Sequence, residues 1–170
     1  MIDKALAFIS SYINNELKLS FGLTDDKVIA SSLINLDGTV TENIENKIII
    51  SLINIENETF AKSPGPYVQT GDNQYGKVDP PVYINLYLLI SANYTSANYL
   101  ESLKMLSASI ATLQATSVFD QKTFPNLDPS IDRLTIEIHN VPINELSHIW
   151  SGIGAKYVPS IIYKVRMLTI

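Results

Sequence analysis

A strand with two apolar faces constrains this chain more than any other feature. In residues 82–90, Val82, Ile84, Leu86, Leu88 and Ile90 share one side, while Tyr83, Asn85, Tyr87 and Leu89 share the other. A sheet that leaves one face in water alternates cleanly between apolar and polar residues. This segment does not, so both of its faces are expected to be substantially covered. Pro80 and Pro81 mark its start, since proline cannot donate to a central ladder. After Asn93-Tyr94, Thr95 or Ser96 is placed to cap a helix with Leu100, Leu103, Leu106, Ile110 and Leu113 in one stripe and Glu101, Lys104, Thr112 and Gln114 mostly off it. This strand-to-helix unit is the expected centre of the fold.

The flanking sequence supplies the remaining elements. Ile2, Ala5, Ile9, Ile13 and Leu17 recur at helical spacing, with Ser10, Ser11, Asn14 and Asn15 between them, predicting a helix over 2–17. "KVIASSLIN" and "NKIIISLINIE" read as two strands that pair, with "LDGTVTEN" as their turn region. "DRLTIEIHNV" sets Leu134, Ile136 and Ile138 against Thr135, Glu137 and His139, a strand with one polar face. Pro142 opens a short helix bearing Ile143, Leu146, Ile149 and Trp150, which Gly152 is expected to end. "SIIYKVRMLTI" closes the chain as a strand. The 170 residues therefore predict a single α+β (mixed α/β) domain over 1–170, a sheet of about four to five strands flanked by about three helices. Trp150, Tyr157, Leu86, Leu103 and Leu106 are its expected structural core.

Residues 61–81 hold four of the eight prolines and three of the seven glycines. That composition predicts a long loop, and long connections are often functional. Tyrosines crowd around it, at Tyr67, Tyr75, Tyr83, Tyr87, Tyr94 and Tyr99. Tyrosine suits interfaces because it buries a ring and keeps a hydrogen-bonding tip, though a half-exposed core edge uses it equally. Tyr67, Gln69, Gln74 and Tyr75 are therefore candidate interface residues. Charge supplies a second candidate surface. Net charge is -5, without any cluster of Lys and Arg, which argues against a nucleic-acid partner. Residues 24–60 hold seven acids against Lys27 and Lys47, whereas 146–170 hold Lys156, Lys164 and Arg166 without an acid. Lys164 and Arg166 on the final strand are the basic candidates.

Reactive chemistry is hard to place. There is no cysteine, hence neither a disulfide nor a thiolate nucleophile or metal ligand. His139 and His148 are the only histidines and read as surface or half-buried residues rather than zinc ligands. Ser147 and Ser151 lie near His148 without a G-x-S-x-G elbow. "GIGAKY" lacks a third glycine and follows a helix, so it reads as a helix stop rather than a phosphate cradle. Asp25-Asp26 and Glu56/Glu58 read as solvated turn acids. No catalytic, cofactor or metal site is expected, and no run approaches the ~18 apolar residues of a membrane span. The N-terminus has no secretion-signal pattern, so synthesis and assembly are expected in the cytoplasm.

Three stretches carry a family likeness: "PPVYINLYLLISAN", "NYLESLKMLSASIATLQ" and "LTIEIHNVPINELSHIWSGIGAKYVPSIIYKVRMLTI". Together they resemble the tube-terminator, or cap, proteins of phage-tail-like contractile injection systems. Leu146, Trp150, Gly154, Tyr157, Pro159, Ser160 and Tyr163 match the family pattern "LW..LG..Y.PS..Y", and Pro80, Pro81, Tyr83, Leu86 and Tyr87 match "PP.Y.NLYYL". The resemblance implies a tail-terminator-like structural protein, not an enzyme, that forms a six-fold ring of its own copies on the distal end of the inner tube. It also implies that the ring stops tube growth and joins the tube to the last sheath layer. The implied partners are itself, the inner tube protein and the sheath protein, directly or through another subunit, with no nucleic acid, membrane or cofactor; the particle would be released or anchored. The rival expectation is a small-ligand-binding or hydrolytic α/β domain with its site under the 61–81 loop.

Overall fold

The computed structural model describes residues 1–58, 67–71, 74–77 and 81–169, without the side chains of 67–70, 74, 75 and 77. In chain order the elements are α1 (Ile2–Phe21), β1 (Val28–Ala30), β2 (Lys47–Asn57), β3 (Tyr67–Gly71), β4 (Gln74–Lys77), β5 (Tyr83–Asn93), a 3-10 turn (Ser96–Asn98), α2 (Tyr99–Ala115), β6 (Val118–Asp120), β7 (Ile131–Ile138), α3 (Ile143–Ile153) and β8 (Ser160–Thr169). Six strands form one sheet in the order β1-β2-β5-β8-β7-β6. That is more strands than the sequence predicts, because β6, at three residues, is too short to show a period.

β5 sits between β2 and β8, antiparallel to both, and its two faces are covered by different elements. Leu86, Leu88 and Ile90 join Ala5, Ile9 and Ile13 of α1 and Met105 and Leu106 of α2 in the larger core. Phe119 of β6 closes that layer in edge-on contact with Phe8 and Tyr12. On the opposite face Leu89 packs with Ile49, Ile162 and Trp150 of α3. Complete burial of Leu86, Leu88 and Leu89 agrees with the double coverage expected of this strand.

Several expectations are corrected. β1 and β2 pair in parallel, so "LDGTVTEN" is not the turn of a hairpin between them. Parallel neighbours need a crossover of a dozen or more residues. The intervening 31–46 segment supplies it, burying Leu33 and Ile44 against the α3 side of the sheet. On α2 the buried residues are Ser102, Met105, Leu106, Ser109 and Leu113, while Leu100 is 79% exposed and Leu103 half-buried. The two serines satisfy their hydroxyls on Tyr99 O and Met105 O, at 2.6 and 2.8 Å, and present little bulk to the sheet. α3 ends not at Gly152 but at Gly154, which takes φ 78° and donates its N–H to Trp150 O. Trp150, Leu86 and Leu106 are buried as expected, whereas Tyr157 is 63% exposed, its ring lying edge-on to the Trp150 indole at 5.5 Å.

The 61–81 segment is not an irregular loop throughout. β3 and β4 pair antiparallel, with Tyr67 opposite Lys77 and Gln69 opposite Tyr75. All four prolines of the segment lie outside 67–77, so its average composition concealed a stretch free of proline. Residues 61–66, 72–73 and 78–80 of the expected loop lie outside the described residues.

Candidate functional site

Covalent chemistry finds no support among the described residues. No group of three or more His, Asp or Glu is placed to hold a metal, and Ser147 and His148 are both exposed on α3. Asp26 pairs with Lys18 at 2.6 Å, on the surface. No described helix is long and apolar enough to cross a membrane.

The unusual region is the sheet face shared with α3, beyond the reach of that helix. Successive cross-strand rows there are polar. Glu56, Asn85, Arg166 and Thr135 form one row across four strands, and Tyr87, Lys164 and Glu137 form the next. The Tyr87 hydroxyl donates to Glu56 Oε2 at 2.8 Å, and its ring meets His139 edge-on at 4.9 Å. Burial first, then the Glu56 hydrogen bond and charge, pushes the Tyr87 phenol above its ordinary value. Arg166 donates to Glu137 Oε1 at 3.1 Å.

The expected basic patch is thereby redrawn. Lys164 and Arg166 do share this face, but Glu137 and Glu56 neutralise part of it, and Glu56 belongs to the acidic stretch of the sequence. Charge segregated along the chain is partly mixed by strand pairing. Arg133 of β7, which sequence reasoning did not single out, adds a cation that has no ion-pair partner within 4.0 Å among the described residues. The side chains of Tyr67, Gln69, Gln74 and Tyr75 lie outside those described, so only their backbone positions on the β3–β4 hairpin are known.

Between these rows and the strand ends lies a groove of about 370 Å³ lined by Tyr83, Ile84, Asn85, Arg133, Arg166 and Leu168, among others. Its floor holds an anomaly. Asn85 is 4% exposed, and its Oδ1 is buried without a hydrogen-bond partner among the described residues. An orphaned buried amide oxygen costs about 1–3 kcal/mol. The opposite case is Asn14 in α1, also buried, whose Nδ2 donates to Val28 O at 2.6 Å while its Oδ1 accepts from the backbone N–H of Lys27 and Val28.

The acidic counterpart is the 31–46 crossover. Within it Asn35 N–H donates to Thr39 O and Gly38 N–H to Asn35 O, making a tight turn in which Gly38 takes φ 86°. Thr39 donates twice to Asp37 Oδ1, through N at 3.0 Å and Oγ1 at 2.6 Å, holding the carboxyl below its usual range. Leu36 at the tip is 110% exposed.

Against this geometry, the comparisons with known proteins agree with one another. The family model of the Pvc16 N-terminal domain matches residues 5–170. No curated protein matches in sequence. Among solved structures, the sheath/tube terminator of an extracellular contractile injection system, in its extended state, is similar over 99% of this chain with a TM-score of 0.62 at 15% identity. The tube-terminating cap of the anti-feeding prophage is similar over 96% of this chain, with a TM-score of 0.60 at 13% identity. This chain spans 56% and 54% of those two chains, respectively.

Proposed function

The chain belongs to the Pvc16 N-terminal domain family, and from that premise we propose that it is a structural assembly protein that caps the distal end of the inner tube of a contractile injection particle. Copies of the chain form a ring, six-fold by the family resemblance, that ends tube growth and helps join the tube to the last sheath layer. The observation that carries this reading is coverage: the likeness to two terminator proteins runs through essentially the whole chain, not through one motif. A ring of identical copies needs two different, complementary surfaces on each subunit. The polar sheet face and the acidic crossover are two such surfaces.

Tube and sheath are the proposed partners, and the β3–β4 hairpin, with Tyr67, Gln69, Gln74 and Tyr75, is the proposed contact to the tube end or the neighbouring subunit. No covalent chemistry is assigned. Imaging particles assembled without this chain tests the cap: tubes and sheaths of uncontrolled length, or particles that fail to stay extended, are expected. Uniform particles of normal length would overturn it. Replacing 67–77 with a Gly-Ser turn is expected to leave the fold intact and reduce co-sedimentation with tubes; parental binding would remove the hairpin from the interface.

A further inference from the structure

We propose that the groove around Asn85 receives the Leu36–Asp37 turn of a second copy of this chain, and that this contact is the repeating joint of the ring. The proposal rests on the ring-forming reading above and names its surfaces. On the receiving side, the groove combines apolar walls from Ile84 and Leu168 with the guanidinium of Arg133 at its rim, which has no ion-pair partner within 4.0 Å among the described residues; Glu58 also lines it. Asp120, opposite Arg133 on β6, feels that cation's charge but makes no ion pair with it within 4.0 Å, its carboxylate accepting from Thr123 N–H at 2.8 Å. The site thus calls for an apolar side chain and a carboxylate presented together.

The 35–39 turn presents both. Its geometry needs Asn35, Asp37 and Gly38, residues that suit tight turns, but it does not need leucine at the tip. Leu36 is nevertheless fully exposed, with Val40 beside it 66% exposed. Asp37 is held as a carboxylate by Thr39. The backbone N–H of Leu36 donates to no acceptor among the described residues, and that of Asp37 turns to its own carboxylate. The turn leaves the sheet at the β1 edge, while the groove spans β5, β8 and β7 on the far side of β2. Surfaces on different flanks make a head-to-tail contact, the kind that closes into a ring.

A charge swap tests the joint. Asp37→Arg and Arg133→Glu, each in the full chain, are expected to raise the concentration needed for ring formation at least about tenfold by mass photometry, with the melting temperature unchanged for Arg133→Glu and lowered for Asp37→Arg, which also loses the two Thr39 hydrogen bonds. The double variant is expected to recover assembly to within about threefold of the parent, because only a direct pair is restored by exchange. Single variants that assemble like the parent, a double variant that fails to recover, or a parent that forms no oligomer would each overturn the proposal. The two readings fail separately. Swap variants that contradict the joint while particle length still depends on the chain sink the joint alone; rings that obey the swap while tube length ignores the chain sink the cap alone.

Discussion

The two faces of β5 are made by alternate residues of one strand, yet they behave as different materials. Toward α1 and α2, Leu86, Leu88 and Ile90 lie at 0–1% exposure in a continuous apolar layer. Toward α3, Leu89 is as deeply buried, but Tyr87 is half-buried beside Glu56, and Asn85 is buried without a partner for its oxygen. A closed apolar face is stabilised by area and packing, and any polar atom there must be satisfied, as Asn14 is. A face only partly covered by a helix of 11 residues carries polar rows beside its apolar cluster. On the proposal above, stability and recognition fall on opposite sides of one strand.

The comparison breaks most easily at its aromatic residues. Phe119→Ala on the closed face, where the ring is 0% exposed and contacts three other aromatic rings, is expected to cost about 3–5 kcal/mol in urea unfolding. Trp150→Ala, on the smaller cluster of the other face, is expected near ~3 kcal/mol, the low end of the same range, because its neighbour Tyr157 already faces solvent. A larger loss at Trp150 than at Phe119 would reverse the assignment of stability to the α1/α2 side.

Asn14→Leu sharpens the contrast between satisfied and orphaned amides. It strands the N–H groups of Lys27 and Val28 and is expected to cost about 1–3 kcal/mol and to loosen the β1 edge, read by amide exchange at 27–30. Asn85→Leu, by contrast, is expected to leave unfolding free energy unchanged or slightly raised. Equal losses at the two positions would mean that Asn85 has a partner after all.

Alkaline pH probes the closed face. Burial, with no hydrogen-bond partner for its hydroxyl, pushes Tyr163 up to about 12, and burial with the Glu101 charge does the same for Tyr94. Both phenols are neutral in folded and unfolded chains below pH 10, the ordinary value. Above it the unfolded chain loses the proton first. Stability is therefore expected to be constant below pH 10 and to fall as pH rises toward 12, and Tyr163→Phe should weaken that dependence. The smallest effect is at the surface: Arg166→Ala removes an exposed pair with Glu137 and is expected to change stability by less than about 1 kcal/mol. A larger loss would place Arg166 in the core architecture rather than on a recognition surface.

How much of this was legible depends on the range of the signal. The helix at 2–17, the doubly covered strand at 82–90 and the polar-faced strands at 134–138 and 161–168 were readable, because period 3.6 or 2 is written in neighbouring residues. Composition misled where it averaged: prolines at 64, 66, 80 and 81 hid the β3–β4 hairpin between them. Helical period gave the stripe of α2 but not its exact rotation, since Ser102 and Ser109 face inward for want of bulk, a choice made by the packing partner. Asn14 and Asn85 look alike as polar residues in apolar patterns, and nothing local distinguishes a clamp from an orphan. The sequence by itself determined helices α1–α3 and strands β1, β2, β5, β7 and β8, that one strand is covered twice, and, through the motifs around Tyr87 and Trp150, the family. The tertiary structure alone decided the strand order, the parallel pairing of β1 with β2, the mixing of Glu56 with Arg166, and the orphaned oxygen of Asn85. Each of these depends on which distant residues meet, and contacts of that range leave no period in the chain that makes them.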